Sequence, residues 1–241
     1  MCGIVGYVGE KQAANFLIDG LTKLEYRGYD SAGIAVFDGE KINVAKSVGR
    51  LAALKEKIKN NTPEGVMGIG HTRWATHGRP SDVNSHPHTD CSGKFAIVHN
   101  GIIENFMSLK EELIAKGHKF VSETDTEVVA HLIEDVYEGD FVEAVNKVLN
   151  RIEGSYSLAF MCQDYPDTLI CTKKDNPLVI GLGEGENFIA SDIPAVLKYT
   201  RDVIFIENEE IVRMTEDSME FFNVDEEALE KEAVHIDWDV N

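Results

Sequence analysis

Basic residues are scarce in this chain. Only 23 Lys and Arg stand against 42 Asp and Glu, a formal net charge of −19 over 241 residues. A surface this acidic repels phosphate backbones and anionic lipid, so neither nucleic acid nor a membrane is an expected partner. The plainest use of the charge is solubility, and the acidic excess is greatest between Glu207 and Asp239. No apolar run approaches the roughly eighteen residues that cross a bilayer. The N-terminus also lacks the basic-then-apolar order of a secretion signal. Cysteine is sparse too: Cys2, Cys91, Cys162 and Cys171 have no CxxC pair among them. A chain of this length buries a core without disulfides, so the expectation is a cytoplasmic protein with reduced thiols. Cys162 and Cys171 sit in apolar runs and read as inert core residues. Cys91 lies in a polar turn with no evident role. There is no internal repeat. The glycines of GLGEGEN (181–187) are not a dinucleotide fingerprint; flanked by two apolar runs, they read as a hairpin.

What is present is a sequence of short apolar segments. MCGIVGYV (1–8) reads as a buried strand at the N-terminus. A helix is expected over 13–25, where Ala13, Phe16, Leu17, Leu21 and Leu24 share a face. Strands follow at 33–37 and 42–48 around an Asp38-Gly39 turn, with a short helix at 51–59. VMGIGHTRW (66–74) is a strand running into a loop, and FAIVHNG (95–101) is another ending in a turn. Ile103, Phe106, Leu109 and Leu113 line one expected helix. Val128, Val129, Leu132, Ile133 and Val136 line the next, for which Thr124 to Glu127 offers a capping box. A third helix spans 141–152 and ends near Gly154. Strands return at 156–161, 168–172, 178–182, 187–191, 203–206 and 211–215. Clustered helices and runs of strands joined by short turns favour an antiparallel α+β layered fold. From about Val224 the chain loses periodicity and reads as a linker or tail.

The chemistry-bearing residues are modest signals one at a time. Once the initiator methionine is trimmed, Cys2 carries a free α-amine, whose reference pKa of about 7.7–8.0 suits a base near neutral pH. Position alone fits both an N-terminal nucleophile and a small residue packed on a strand. His71, His77, His86, His88 and His99 crowd one stretch, but their spacing matches no zinc pattern. The stretch GHTRWATHGRPSDVNSHPH (70–88) reads instead as a long polar loop, of a length that is often functional. In it Arg73 could clamp a carboxylate, Thr76 and His77 could add donors, and Trp74 could act as a lid. Asn100-Gly101 ends a strand as either a simple turn or an oxyanion hole. Asp125 suits a helix start or a counter-charge for an ammonium group.

Their order along the chain says more. MCGIVGY, EYRGYDSAG (25–33), GIGHTRWATHG (68–78), HNGIIEN (99–105), SETDTE (122–127) and PLVIGLGEGENFIASD (177–192) together resemble the glutaminase half of the glutamine–fructose-6-phosphate aminotransferase family. That family belongs to the class II, N-terminal-nucleophile amidotransferases. Sister amidotransferases share the N-terminal Cys-Gly-Ile but usually carry His-Arg-Gly where this chain has Tyr26-Arg27-Gly28. The resemblance implies a four-layer αββα sandwich with two mainly antiparallel sheets, of the N-terminal-nucleophile hydrolase type. It implies L-glutamine as substrate, no cofactor and no metal. It further implies that Cys2 attacks the amide to form a γ-glutamyl thioester, with its own α-amine moving the proton. Asn100 and the Gly101 N–H would hold the oxyanion. Arg73, Thr76 and His77 would hold the substrate α-carboxylate; Asp125 and the Gly101 carbonyl would hold its α-amine. Trp74 would close the site, and Arg27 would support the nucleophile region.

The same resemblance makes residues 2–223 the glutaminase domain and 224–241 an acidic connector toward a C-terminal isomerase half that binds fructose 6-phosphate. The isolated domain is then expected to be monomeric, to hydrolyse glutamine, and to make no glucosamine 6-phosphate. Two other readings remain: the glutaminase of another amidotransferase, or a catalytically silent glutamine-binding domain if Met1 is retained.

Overall fold

A computed structural model describes residues 2–27, 30–75 and 77–239, with Arg27 described by its backbone alone. Met1, Thr76 and the Arg27 side chain, each of which carries an expectation above, lie outside the described residues.

The strands are β1 (Gly3–Val8), β2 (Ser31–Phe37), β3 (Ile42–Val48), β4 (Met67–Arg73), β5 (His88–Thr89), β6 (Phe95–Ile103), β7 (Gly154–Cys162), β8 (Leu169–Lys174), β9 (Val179–Leu182), β10 (Asn187–Ala190), β11 (Asp202–Phe205), β12 (Ile211–Met214), β13 (Met219–Phe222), β14 (Ala228–Leu229) and β15 (Val234–His235). The helices are α1 (Ala13–Leu24), α2 (Leu51–Ile58), α3 (Phe106–Ala115), α4 (Glu127–Val136) and α5 (Phe141–Leu149). Their strands form an eight-stranded sheet, β15-β11-β9-β10-β1-β4-β2-β3, and a seven-stranded sheet, β14-β13-β12-β8-β7-β6-β5. The central ladders are antiparallel, as in β1 with β4 and β6 with β7.

Alternation along the strands explains the layering. In β6 and β7, Ile97, Leu158 and Phe160 pack outward against Leu109, Val129, Ile133 and Val145 of α3–α5. Their neighbours Ala96, Val98, Ala159 and Met161 turn inward to meet Ile4, Ala35 and Ile69 of the other sheet. In that sheet Val5, Tyr7, Ile34 and Val36 pack outward on Phe16, Leu17, Leu21 and Leu54 of α1 and α2. Three apolar interfaces thus separate four layers, the αββα sandwich expected. Each fully buried Ile, Leu or Phe at these interfaces contributes about 1.5–3 kcal/mol. Because both sheet faces are covered, the strands read as continuous apolar runs rather than alternating ones. No helix among the described residues is long and apolar enough to cross a membrane.

Several expectations are corrected. Ile103 ends β6 rather than beginning the helix, which starts at Phe106. The capping box at α4 does not form: Thr126 occupies the cap position, but its side chain makes no bond to the helix N–H groups. Thr124 is taken instead by His88 Nε2 (2.9 Å), and Glu127 reaches outward to the Val121 and Ser122 backbone N–H groups (3.0 and 2.6 Å). GLGEGEN is the expected hairpin, with Leu182 opposite Asn187 and Gly185 at φ +68°. The acidic segment after Val224 carries two short edge strands. β14 pairs with β13 on one sheet and β15 pairs with β11 on the other, so the chain passes from sheet to sheet.

Candidate active site

Three strand ends converge on one cavity. Cys2 immediately precedes β1, whose Gly3 lies opposite Thr72 of β4. Arg73 closes β4, opposite Ser31 of β2. Asn100 and Gly101 lie on β6, opposite Ser157 and Tyr156 of β7. The cavity of ≈ 520 Å³ is lined by Cys2, Arg73, Trp74, Asn100, Gly101 and Asp125, with Thr124, Thr126, Ser155 and Asn176 among its other walls.

Cys2 Sγ accepts a hydrogen bond from the Trp74 backbone N–H at 3.1 Å. Burial pushes its thiol above the ordinary value, partly offset by that N–H and by the Arg73 charge. The thiol is therefore neutral near pH 7 and needs a base to become a nucleophile. Asn100 Nδ2 donates to the Cys2 carbonyl at 3.2 Å, leaving its second N–H uncommitted to that bond. The other side of the same amide is held by His71, whose Nε2 lies 2.9 Å from Asn100 Oδ1 and 3.0 Å from the His99 carbonyl. Two acceptors fix the proton on Nε2 and fix the Asn100 amide orientation as well. Gly101 adopts φ +115°, and a Cβ there would press into the Ser155 carbonyl oxygen. The residue is glycine because nothing larger fits.

Charges of both signs stand on the cavity wall. Arg73 is 3% exposed; its Nη2 donates to the His77 and Gly78 carbonyls, while Nη1 is buried with no partner among the described residues. Asp125, also 3% exposed, accepts from the Ile103 N–H at 2.8 Å through Oδ2. His77 stands behind the wall: its ring packs edge-on against Phe106, with Nδ1 3.7 Å from Asp125 Oδ1. Trp74 is half exposed at the mouth.

Two residues not singled out for a role from sequence shape this site. Asp30 accepts from the Ala75 N–H, and its own N–H bonds the Arg73 carbonyl at 2.9 Å, which pins the loop that carries Trp74. Asp30 lies within the EYRGYDSAG motif, so the motif carried its signal. His71 had a signal only as one member of a histidine cluster. The four buried histidines of that cluster are internal hydrogen-bonding groups. His71 stacks on His86 at 4.0 Å, His86 Nδ1 accepts from the His99 N–H at 3.3 Å, and His99 Nδ1 lies 2.8 Å from Thr126 Oγ1.

Burial lowers the proton affinity of all four, His71 to about 3 and His86 and His88 well below the ordinary range. The unfolded chain takes up these protons below about pH 6.5, whereas the folded chain refuses them. Their contribution to stability is therefore full above pH 6.5 and is lost as pH falls toward 3. Urea unfolding between pH 7 and 5 should show stability falling with acidification. Each histidine steepens the slope by up to about 1.4 kcal/mol per pH unit. A flat profile across that range would contradict neutral burial.

Residues 71–198 match the family of glutamine amidotransferase domains. The chain belongs to that family. The glutamine amidotransferase domain is 58% identical over 240 residues to the glutamine–fructose-6-phosphate aminotransferase (isomerizing) of Caldanaerobacter subterraneus subsp. tengcongensis, covering 100% of this chain and 40% of that protein. It is 51% identical to the enzyme of the same name from Thermus thermophilus, covering 99% of this chain and 39% of the relative. The domain thus spans about two fifths of the length of these curated relatives. Among solved structures, it superposes on a glutamine phosphoribosylpyrophosphate amidotransferase from B. subtilis with a TM-score of 0.81 and 28% identity, covering 92% of this chain and 49% of that one. The glutamine amidotransferase domain therefore has the N-terminal-nucleophile hydrolase fold.

Proposed function

We propose that this domain hydrolyses the side-chain amide of L-glutamine to L-glutamate and ammonia, with Cys2 as nucleophile. One observation carries the reading: a single cavity joins a partly buried thiol, an oriented carboxamide beside it, and one buried side chain of each charge sign. Glutamine presents the matching set, a carboxylate and an ammonium at one carbon and an amide at the far end. The Arg73 Nη1, without a partner among the described residues, suits the carboxylate, a role the sequence resemblance shares out to Thr76 and His77 as well. Asp125 and the Gly101 carbonyl suit the ammonium.

Removal of Met1 gives Cys2 a free α-amine, which takes the thiol proton as Sγ attacks the amide carbon. Negative charge collects on the former carbonyl oxygen, within reach of the Asn100 Nδ2–H and the Gly101 N–H. Collapse breaks the C–N bond. The amine returns its proton to the departing nitrogen, so ammonia leaves and a γ-glutamyl thioester remains. Water, deprotonated by the same amine, attacks the thioester, and Sγ leaves as the thiol. Trp74 closes the mouth during this cycle, and Arg27 supports the nucleophile segment.

The kinship with longer enzymes supports a wider reading. Residues 2–223 form the glutaminase, 224–241 an acidic connector, and a C-terminal isomerase half joins the ammonia to fructose 6-phosphate to give glucosamine 6-phosphate in the cytoplasm. The domain by itself is a monomer and makes glutamate and ammonia alone. The test pairs intact mass with a glutaminase assay. Chain beginning at Cys2 should release glutamate and ammonia in equal amounts, while a form whose N-terminus stays blocked by Met1 should be inactive. Equal activity in both forms would refute the α-amine as base.

A further inference from the structure

A second group of reactive side chains lies outside this cavity, around Cys91, in the turn between β5 and β6. Cys91 is joined by His118 from the segment after α3 and by His131 and Glu134, three residues apart on one face of α4. One ligand atom from each of the four lies within 4.8 Å of every other.

The separations can be compared with those a metal ion would impose. Zn–S of about 2.3 Å and Zn–N or Zn–O of about 2.0–2.2 Å in tetrahedral array place neighbouring ligand atoms roughly 3.3–3.6 Å apart. Cys91 Sγ lies 3.5 Å from His131 Nδ1, and His118 Nδ1 lies 3.4 Å from Glu134 Oε2. His131 Nδ1 and Glu134 Oε2 are slightly wider, at 3.8 Å. These three separations lie within a few tenths of an ångström of tetrahedral edge lengths, and the remaining pairs are within 4.8 Å.

The surroundings favour ligation as well. His131 is 1% exposed and its Nε2 lies 2.8 Å from Glu127 Oε2. That carboxylate accepts a hydrogen bond from Nε2–H, which keeps the proton on Nε2 and leaves the Nδ1 lone pair facing the cluster, the usual arrangement behind a metal-bound histidine. Glu127 is itself held by the Val121 and Ser122 N–H groups. His118 repeats the pattern more loosely, with Nε2 3.7 Å from Asp135 Oδ1. The Lys119 N–H lies 3.3 Å from Cys91 Sγ, where it would stabilise a thiolate.

We propose that Cys91, His118, His131 and Glu134 form a structural site for a divalent ion of the zinc class. One thiolate, two imidazoles and a carboxylate suit zinc over magnesium or calcium, which prefer oxygen donors throughout. Four protein ligands leave no open position, so the ion staples the fold rather than performing chemistry. It clamps the β5–β6 turn to α4, the helix whose first turn follows Thr124, Asp125 and Thr126 on the cavity wall. Binding exchanges the Cys91 S–H bond for an S–metal bond and releases one proton to solvent.

The test uses Co²⁺ as a probe on the full chain in a Cys2→Ser background, which removes the other accessible thiol. Cys162 and Cys171 are buried. One Co²⁺ per chain should bind with a thiolate-to-metal charge-transfer band and intense tetrahedral d–d absorption, and Zn²⁺ should displace it. The band should vanish in Cys91→Ser. Affinity should drop roughly tenfold or more in His118→Ala, with the thermal midpoint of the metal-free variant as the control for folding. Zn²⁺ should raise the thermal midpoint of the background protein but not that of Cys91→Ser. No charge-transfer band in the background protein, or a band that persists in Cys91→Ser, overturns the proposal.

Discussion

Replacing Cys2 with alanine is expected to lower glutamine hydrolysis by about 10⁵-fold while glutamine still binds. The loss corresponds to roughly 7 kcal/mol of transition-state stabilisation. It is this large because the thioester route has no substitute: without Sγ, water must attack a resonance-stabilised amide directly. Binding survives because Arg73 and Asp125 take their places from β4 and from the start of α4, not from the thiol. The affinity of Cys2→Ala for glutamine, read by calorimetry, should stay within a few-fold of the parent. Cys2→Ser should be nearly as inactive, because a hydroxyl with the same amine as base is a weaker nucleophile than a thiol. A γ-electrophilic glutamine analogue should label Cys2 in the parent chain and nothing in Cys2→Ala. Retained hydrolysis in Cys2→Ala, or labelling moved to Cys91, would place the nucleophile elsewhere.

The parts of this molecule that were legible from sequence are those where local pattern and tertiary environment agree. β1, β2, β4 and β6 are buried on both faces. Their apolar runs therefore continue up to the polar residues near the cavity (His71 to Arg73 in β4, His99 and Asn100 in β6), and α1, α4 and α5 each keep one apolar face at helical spacing. β14 and β15 escaped notice because a two-residue strand has no period to detect, and both lie in an acidic stretch. The capping box at Thr124 failed because a tertiary partner, His88, outcompetes the helix end for the same hydroxyl. In the cavity, the residues with long motifs around them were found, and Asp30 rode along inside one. His71 was visible as a histidine but not as the group that orients Asn100, because that contact crosses between the two sheets. The group at Cys91 was invisible for the same reason: its members are spread from residue 91 to 134 with irregular spacing, and only the packing of α4 under the β5–β6 turn assembles them. Sequence pattern reports periodicity well and long-range polar assembly hardly at all.

Asp125→Asn should lower kcat/KM for glutamine by about 10²–10³ and erase most of the preference for a substrate bearing an α-amine. On the proposed reading a carboxylate this buried, with Oδ2 accepting from the Ile103 N–H, would meet the substrate ammonium as its charge partner. Replacing it with a neutral amide strands that ammonium in a desolvated site, at a cost of about 3–5 kcal/mol. The loss should fall mainly on KM, because the ammonium carries the same charge in the ground state and the transition state. A second substrate sharpens the test. 4-Carbamoylbutanoate keeps the carboxylate and the scissile amide but lacks the α-amine. The parent chain should discriminate strongly against it, since binding leaves the Asp125 charge buried and unpaired. In Asp125→Asn that penalty disappears, so glutamine and 4-carbamoylbutanoate should be hydrolysed at rates within about tenfold of each other. The fold should tolerate the change, because an asparagine Oδ1 still accepts the Ile103 N–H; the thermal midpoint serves as the control. An unchanged ratio of the two substrates would show that Asp125 does not hold the ammonium, and would leave that role to the Gly101 carbonyl.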